Sequence, residues 1–144
     1  MKRPVNTRIK NIASLAAVAV FCAMAVGSTE TEESAKAVAS QEPAHTLTAE
    51  ALYSAYDDNE VAADAKYKGK IVVVSGVIQD IGKDLADDPY VVIGGEGLLD
   101  GVQCTFADSK SEQLASLSKG QKATIKGKVA GLLGNVQVEN SSLQ

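Results

Sequence analysis

The chain of 144 residues has one histidine, two cysteines and no tryptophan, and aromatic residues make up only 4% of it. Each scarcity removes a class of chemistry. One histidine leaves almost no material for Ser-His-Asp catalysis or for histidine-rich metal centres. Two cysteines cannot build a disulfide scaffold. Few aromatics make a stacking surface of several rings hard to assemble. A long apolar run is missing too: IASLAAVAVFCAMAV, residues 12–26, is 15 residues, where a spanning helix needs about 20. What remains, 45% hydrophobic and 22% charged, is the composition of one ordinary globular domain with a single core.

Acidic residues are missing from the start of the chain. Lys2, Arg3, Arg8 and Lys10 precede the apolar run, and the first carboxylate is Glu30. A basic start, a short apolar stretch and then small residues (Ala23-Met24-Ala25 or Ala25-Val26-Gly27) form the pattern of an export signal over residues 1–27. An uncleaved N-terminal anchor is the alternative. Cys22 does not read as a lipid-attachment site, because bulky Phe21 precedes it and it lies inside the apolar run. Without the first 27 residues, 10 basic residues face 18 acidic ones, a net charge of −8. That charge keeps a protein soluble and disfavours attraction to phosphate backbones. The sequence therefore predicts action in the periplasm or at the cell exterior.

Residues 28–45 (STETEESAKAVASQEPAH) are small and acidic, with no apolar period, and are expected to form a flexible spacer that holds His45, the only histidine. The folded domain is expected over residues 46–144. Thr48 can cap a helix that places Leu52, Tyr53 and Tyr56 on one face. Asn59 can cap a second short helix that ends at Gly69. Residues 70–81 (KIVVVSGVIQDI) carry the clearest strand signal, with Gly76 as a bulge or bend. Further strands are expected at 90–93, 102–106, 121–129 and 136–139. In the third, Val102, Cys104 and Phe106 alternate with Gln103 and Thr105. In the fourth, Ala123, Ile125 and Val129 face inward while Lys122, Thr124, Lys126 and Lys128 face outward. Ser109, Lys110, Ser111 and Glu112 read as a capping box opening a helix with Leu114 and Leu117. Two short helices, then five strands with one helix between the third and fourth, is the order of a mainly β, five-stranded OB-fold barrel.

The run Tyr53-x-x-Tyr56-x-x-Asn59-Glu60-x-Ala62-Ala63-Asp64-x-x-Tyr67-Lys68-Gly69-Lys70 resembles the opening motif of the tRNA-anticodon-like OB-fold family. So do the strand at 72–77 with Ser75-Gly76, the VQCTF strand, and Leu117-x-Lys119-Gly120-Gln121 leading into Ile125-Lys126-Gly127-Lys128-Val129. The resemblance spans about residues 48–140. It implies a small exported or lipid-anchored bacterial OB-fold protein and carries no catalytic residues.

Little of the remaining sequence points to chemistry. Cys104 has no histidine to activate it and reads as a small buried hydrophobe. Asp84, Asp87 and Asp88 crowd one turn, with Asp80 just before it, but lack the ligand spacing of a calcium loop; they read as a solvated acidic turn, and no metal is expected. The loop Gly95-Glu96-Gly97-Leu98-Leu99-Asp100-Gly101 misses the dinucleotide fingerprint and leads into a strand, so no cofactor is expected. An OB barrel binds across its second and third strands, which nominates Tyr90, Gln103 and Thr105. The lysine stripe adds Lys126 and Lys128, although alternating lysines also shield a solvent-facing strand. The expected function is a non-enzymatic module binding an envelope protein or small ligand. The alternative is an oligonucleotide binder, supported by the lysine stripe and the resemblance and opposed by the net charge.

Overall fold

The structure is a computed structural model that describes residues 29–97 and 99–144. The export-signal reading of residues 1–27 lies outside the described residues. The first described element is α1 (Thr29–Ser40), followed by β1 (His45–Thr48), α2 (Ala49–Asp58), α3 (Glu60–Tyr67), β2 (Ile71–Lys83), β3 (Pro89–Ile93), β4 (Val102–Thr105), α4 (Ser111–Ala115), β5 (Lys122–Leu133) and β6 (Asn135–Leu143).

The strands form one sheet in the order β1-β2-β3-β4-β6-β5, and β2 also pairs with β5, which closes five of them into a barrel. The β4–β6 pairing is parallel, while β2–β3, β3–β4, β5–β6 and β2–β5 are antiparallel. This is the OB-fold barrel that the order of elements predicts. The long β2 makes closure possible. Its first half, Ile71 to Val77, pairs with β5, and its second half, from Ile78, pairs with β3. The handover needs a sharp bend. Gly76 sits there because a Cβ would lie 3.1 Å from both the Ala49 Cβ and the Gly94 nitrogen. The bulge itself falls further along, between Ile78 and Asp80.

Alternation then sorts each strand. Val91, Ile93, Val102, Cys104, Val136 and Val138 point into the barrel and are buried, as are Ile125 and Val129 of β5. Phe106 and Leu114 close one end, and Leu52 and Tyr56 of α2 cover another side. The Thr48 side chain accepts from Ala51 N and caps α2, and Asn59 accepts from Ala62 N to cap α3. Both caps satisfy amides that a helix start leaves without partners.

Three expectations change. The spacer expected over residues 28–45 is helical across Thr29–Ser40, and that helix rests on the outward side of β5 and β6. Its only firm apolar anchors are Ala35 and Val38, both buried, too sparse to show as a period. His45 is not a solvated spacer residue. It opens β1, which pairs in parallel with β2, and its ring packs edge-on against Tyr67 at 5.0 Å. The capping box at Ser109 to Glu112 does not form. A 3-10 turn over Asp108–Lys110 runs into α4, so Ala107 and Lys110, not Ser109, hold the positions before the two helical turns, and neither makes a side-chain cap bond.

Candidate binding face

The outward faces of β4 and β6, with the turn at Asp84–Asp88, form a shallow groove of about 300 Å³, lined by Asp84, Asp88, Gln103, Thr105, Phe106, Gln137, Glu139 and Asn140. Strand register explains the assembly. Tyr90 pairs with Thr105, Val92 with Gln103, and Gln103 with Gln137, so these side chains lie on one face while Val91, Cys104 and Val138 face the core. The Asp84–Asp88 turn is held by Asp84, whose Oδ1 accepts from the amides of Ala86 at 2.8 Å and Asp88 at 3.1 Å.

Tyr90 does not line the groove; it lies on β3 across from Thr105, with its ring turned over β2, and is fixed in place. A Cβ on Gly82, its partner on β2, would lie 2.9 Å from the Tyr90 hydroxyl and 3.0 Å from Cζ. The ring therefore lies against bare backbone, a close approach that only glycine permits. The hydroxyl donates to Asp80 Oδ2 at 3.2 Å, and Asp80 Oδ1 pairs with Lys119 at 2.6 Å. The hydrogen bond from Lys119 holds the Asp80 carboxyl below its ordinary value. Burial raises the Tyr90 hydroxyl, and the Asp80 charge adds to the rise.

The lysines fare differently. Lys126 is 7% exposed, and its Nζ donates to Ala39 O near the end of α1 at 2.8 Å. The covering helix thus takes Lys126 out of the expected stripe. Lys128 stays exposed; it pairs with Glu139 across β5 and β6 and borders a cavity against α1 beside Val38 and Gln41. Lys83 is tied to Asp87 at 3.1 Å and reaches Asp108 at 3.5 Å. Among the described residues, no basic side chain lines the groove itself.

The structure thus brings Tyr90, Gln103 and Thr105 together, leaves Lys128 one strand beyond, and places Lys126 under α1. Sequence reasoning missed Gln137, Glu139 and Asn140. The alternation of Val136 and Val138 with Gln137 and Glu139 carried the signal, but only the parallel β4–β6 pairing sets those side chains beside Gln103. Asp84 and Asp88 were read as a solvated turn, and they form one wall.

The tRNA_anti-like family model matches residues 1–143. The chain belongs to the tRNA_anti-like family. Among solved structures, a Klebsiella pneumoniae lipoprotein named as a candidate nucleic-acid binder is 27% identical. The alignment covers 76% of this chain and 96% of that one, with a TM-score of 0.57. The S. pombe Stn1–Ten1 complex is 16% identical over 51% of this chain and 57% of that one, with a TM-score of 0.39, a likeness too distant to bear on function. No curated protein matches. The tRNA_anti-like domain described here is an OB barrel, and its groove follows from the barrel's own strand order.

Elsewhere the chemistry is quiet. Burial pushes the Cys104 thiol well above its ordinary value, and it lies in the core. Among the described residues, no three His, Cys, Asp or Glu side chains are placed to hold a metal ion.

Proposed function

We propose that this tRNA_anti-like chain is a non-enzymatic binding module that acts outside the cytoplasm and takes a ligand other than a polyanion on the face of β4 and β6. One observation carries the reading: Asp84, Asp88 and Glu139 line the groove, and among the described residues no basic side chain does. A phosphate backbone is drawn by clustered Lys and Arg that release its counterions. Here Lys119 and Lys83 are engaged with carboxylates, and Lys126 is under a helix. The net charge of −8 beyond residue 27 works in the same direction. Export rests on the basic start and short apolar run of the sequence, and the similar K. pneumoniae protein is named a lipoprotein.

Fluorescence anisotropy of labelled single-stranded DNA and RNA, at low and physiological salt, tests the choice of ligand. The expected result is no specific binding at either salt. Tight binding that weakens steeply with salt, and that Lys128→Ala reduces, would overturn it. The second reading, an oligonucleotide binder, is favoured by the name of the K. pneumoniae protein, and that outcome would establish it.

A further inference from the structure

We infer that the end of the barrel formed by the β3–β4 loop and the β5–β6 turn is a protein-docking surface, and that its partner presents an apolar side chain between lysines or arginines. Leu99 and Leu133 are the apolar centre of this surface, and Asp57 and Asp100 are its acidic rim; all four are exposed. It is separate from the groove, since none of these residues lines it.

The loop between β3 and β4 is rich in glycine for a local reason. It folds back on Asp100: a Cβ on Gly95 would lie 2.7 Å from the Asp100 carbonyl carbon, and one on Gly97 would lie 2.6 Å from Asp100 Oδ2. Both ends of the loop are tied down. Gln79 Nε2 donates to Gly95 O at 2.8 Å, Gly101 N donates to Asn135 Oδ1 at 3.2 Å, and Val136 N donates to Gly101 O at 3.1 Å. The braced loop sets Leu99 against the β5–β6 turn, where a Cβ on Gly134 would be 3.2 Å from Leu99 Cδ2. Leu133 immediately precedes that glycine. Leu99 is 62% exposed and Leu133 80% exposed. Two leucines from two connections are thus held together in water. They gain little from the fold itself, and their ordering is complete before a partner arrives, which removes one cost of binding.

Charge selects the partner. Desolvation, and then the charges of Asp57 and Asp100, raise the Tyr53 hydroxyl, so this half-buried ring of α2 and both carboxylates are neighbours of the loop. Glu96 is exposed in the same loop. Among the described residues, no ion pair reaches Asp57, Glu96 or Asp100; the pairs that form hold Asp64, Asp80, Asp87 and Asp108. A second copy docked about a two-fold axis would set these carboxylates against themselves. An anionic lipid surface or a phosphate chain would meet like charge as well. A protein segment with a basic residue on each side of an apolar one matches both halves of the surface. Its apolar side chain covers Leu99 and Leu133, and its cations face the rim.

The experiment is an amide NMR titration of the intact protein with an acetylated and amidated peptide of two Lys-Leu-Leu-Lys repeats. Two companion peptides replace Lys by Glu, or Leu by Ser. The Lys-Leu peptide should shift the amides of Leu99, Asp100, Leu133 and Gly134 and leave those of Gln103, Thr105 and Gln137 still. Both companions should bind about tenfold more weakly or not at all. Leu99→Ser and Leu133→Ser should each weaken the Lys-Leu peptide about tenfold. Leu85→Ser, on the turn at the other end of β3, should not. All three leucines are exposed, so the variants keep the fold, which unchanged amide shifts across the barrel verify. No shift at the four amides, or equal shifts from the Glu-Leu peptide, would overturn the assignment. Shifts confined to Gln103, Thr105 and Gln137 would overturn it too, and would put the peptide in the groove. Shifts that follow protein concentration without any peptide would overturn it by making the surface a contact between copies.

Discussion

Replacing Lys126 by methionine separates a lysine that holds a helix from a lysine that holds a ligand. In the structure its ammonium donates to Ala39 O at 2.8 Å, and the residue is 7% exposed. That carbonyl belongs to the last turn of α1, where helix geometry leaves acceptors without partners and partial negative charge accumulates. A hydrogen bond from a charged donor is worth about 1.5–3 kcal/mol, and the favourable helix end adds up to about 1 kcal/mol. Against this stands the cost of keeping an ammonium largely out of water, which methionine removes while retaining most of the packing. The balance should be a loss of about 1–2 kcal/mol in the docking of α1. The rest of the dock is small: burying Val38 contributes about 1.5–3 kcal/mol, Ala35 less, and a 12-residue helix is marginal alone. A loss of that size raises the undocked population about five- to thirtyfold. Hydrogen exchange read by mass spectrometry reports it directly. Amides of α1 should lose about that factor of protection, while those of β2 and β5, locked by the barrel closure, should not change. Lys128→Met is the control, since that side chain is exposed. Unchanged exchange in α1 for the Lys126 variant would refute the reasoning.

Two further outcomes follow from the chemistry of single groups. Cys104 should react with a thiol reagent only after denaturation, because its sulfur is buried and burial raises its pKa; rapid labelling of the native protein, read on the Cys104 peptide, would contradict that placement. Asp80 is held below its ordinary value chiefly by the Lys119 hydrogen bond, so its contribution is present above the usual carboxylate range and is lost as pH falls through the folded value. Lys119 is mostly exposed, so the effect should stay under about 1 kcal/mol. It should appear as loosening of the Tyr90 ring in NMR spectra in acid; a ring equally ordered throughout would show that Gly82 packing alone holds it.

The barrel was readable in the sequence because its signals are local. The β-branched run of β2, the alternation in Val102 to Phe106, and the caps at Thr48 and Asn59 each follow from a few neighbouring residues. What escaped depends on contacts between distant segments. Helix α1 has no apolar period because it docks through Ala35 and Val38 and through a lysine 87 positions further on. The strand β1 exists because four residues after a proline find the free edge of β2.

The same distinction decides the functional reading. On the sequence, Lys126 and Lys128 were the best case for an anion site, and the aspartates near residue 84 were a solvated turn. Barrel closure reverses their weight. It sets β6 beside β4, so Gln137 and Glu139 join Gln103 and Thr105, and the aspartate turn becomes a wall of that groove. It also offers the outward side of β5 to α1, which covers one of the two lysines. A stripe counted along one strand assumes that the strand faces water. Here a helix covers part of it, and the polar groups that do converge in the groove are acceptors and amides. Charge summed along the chain pointed away from nucleic acid for a general reason; the groove points away from it for a local one, and the local reason is the one a single substitution can test.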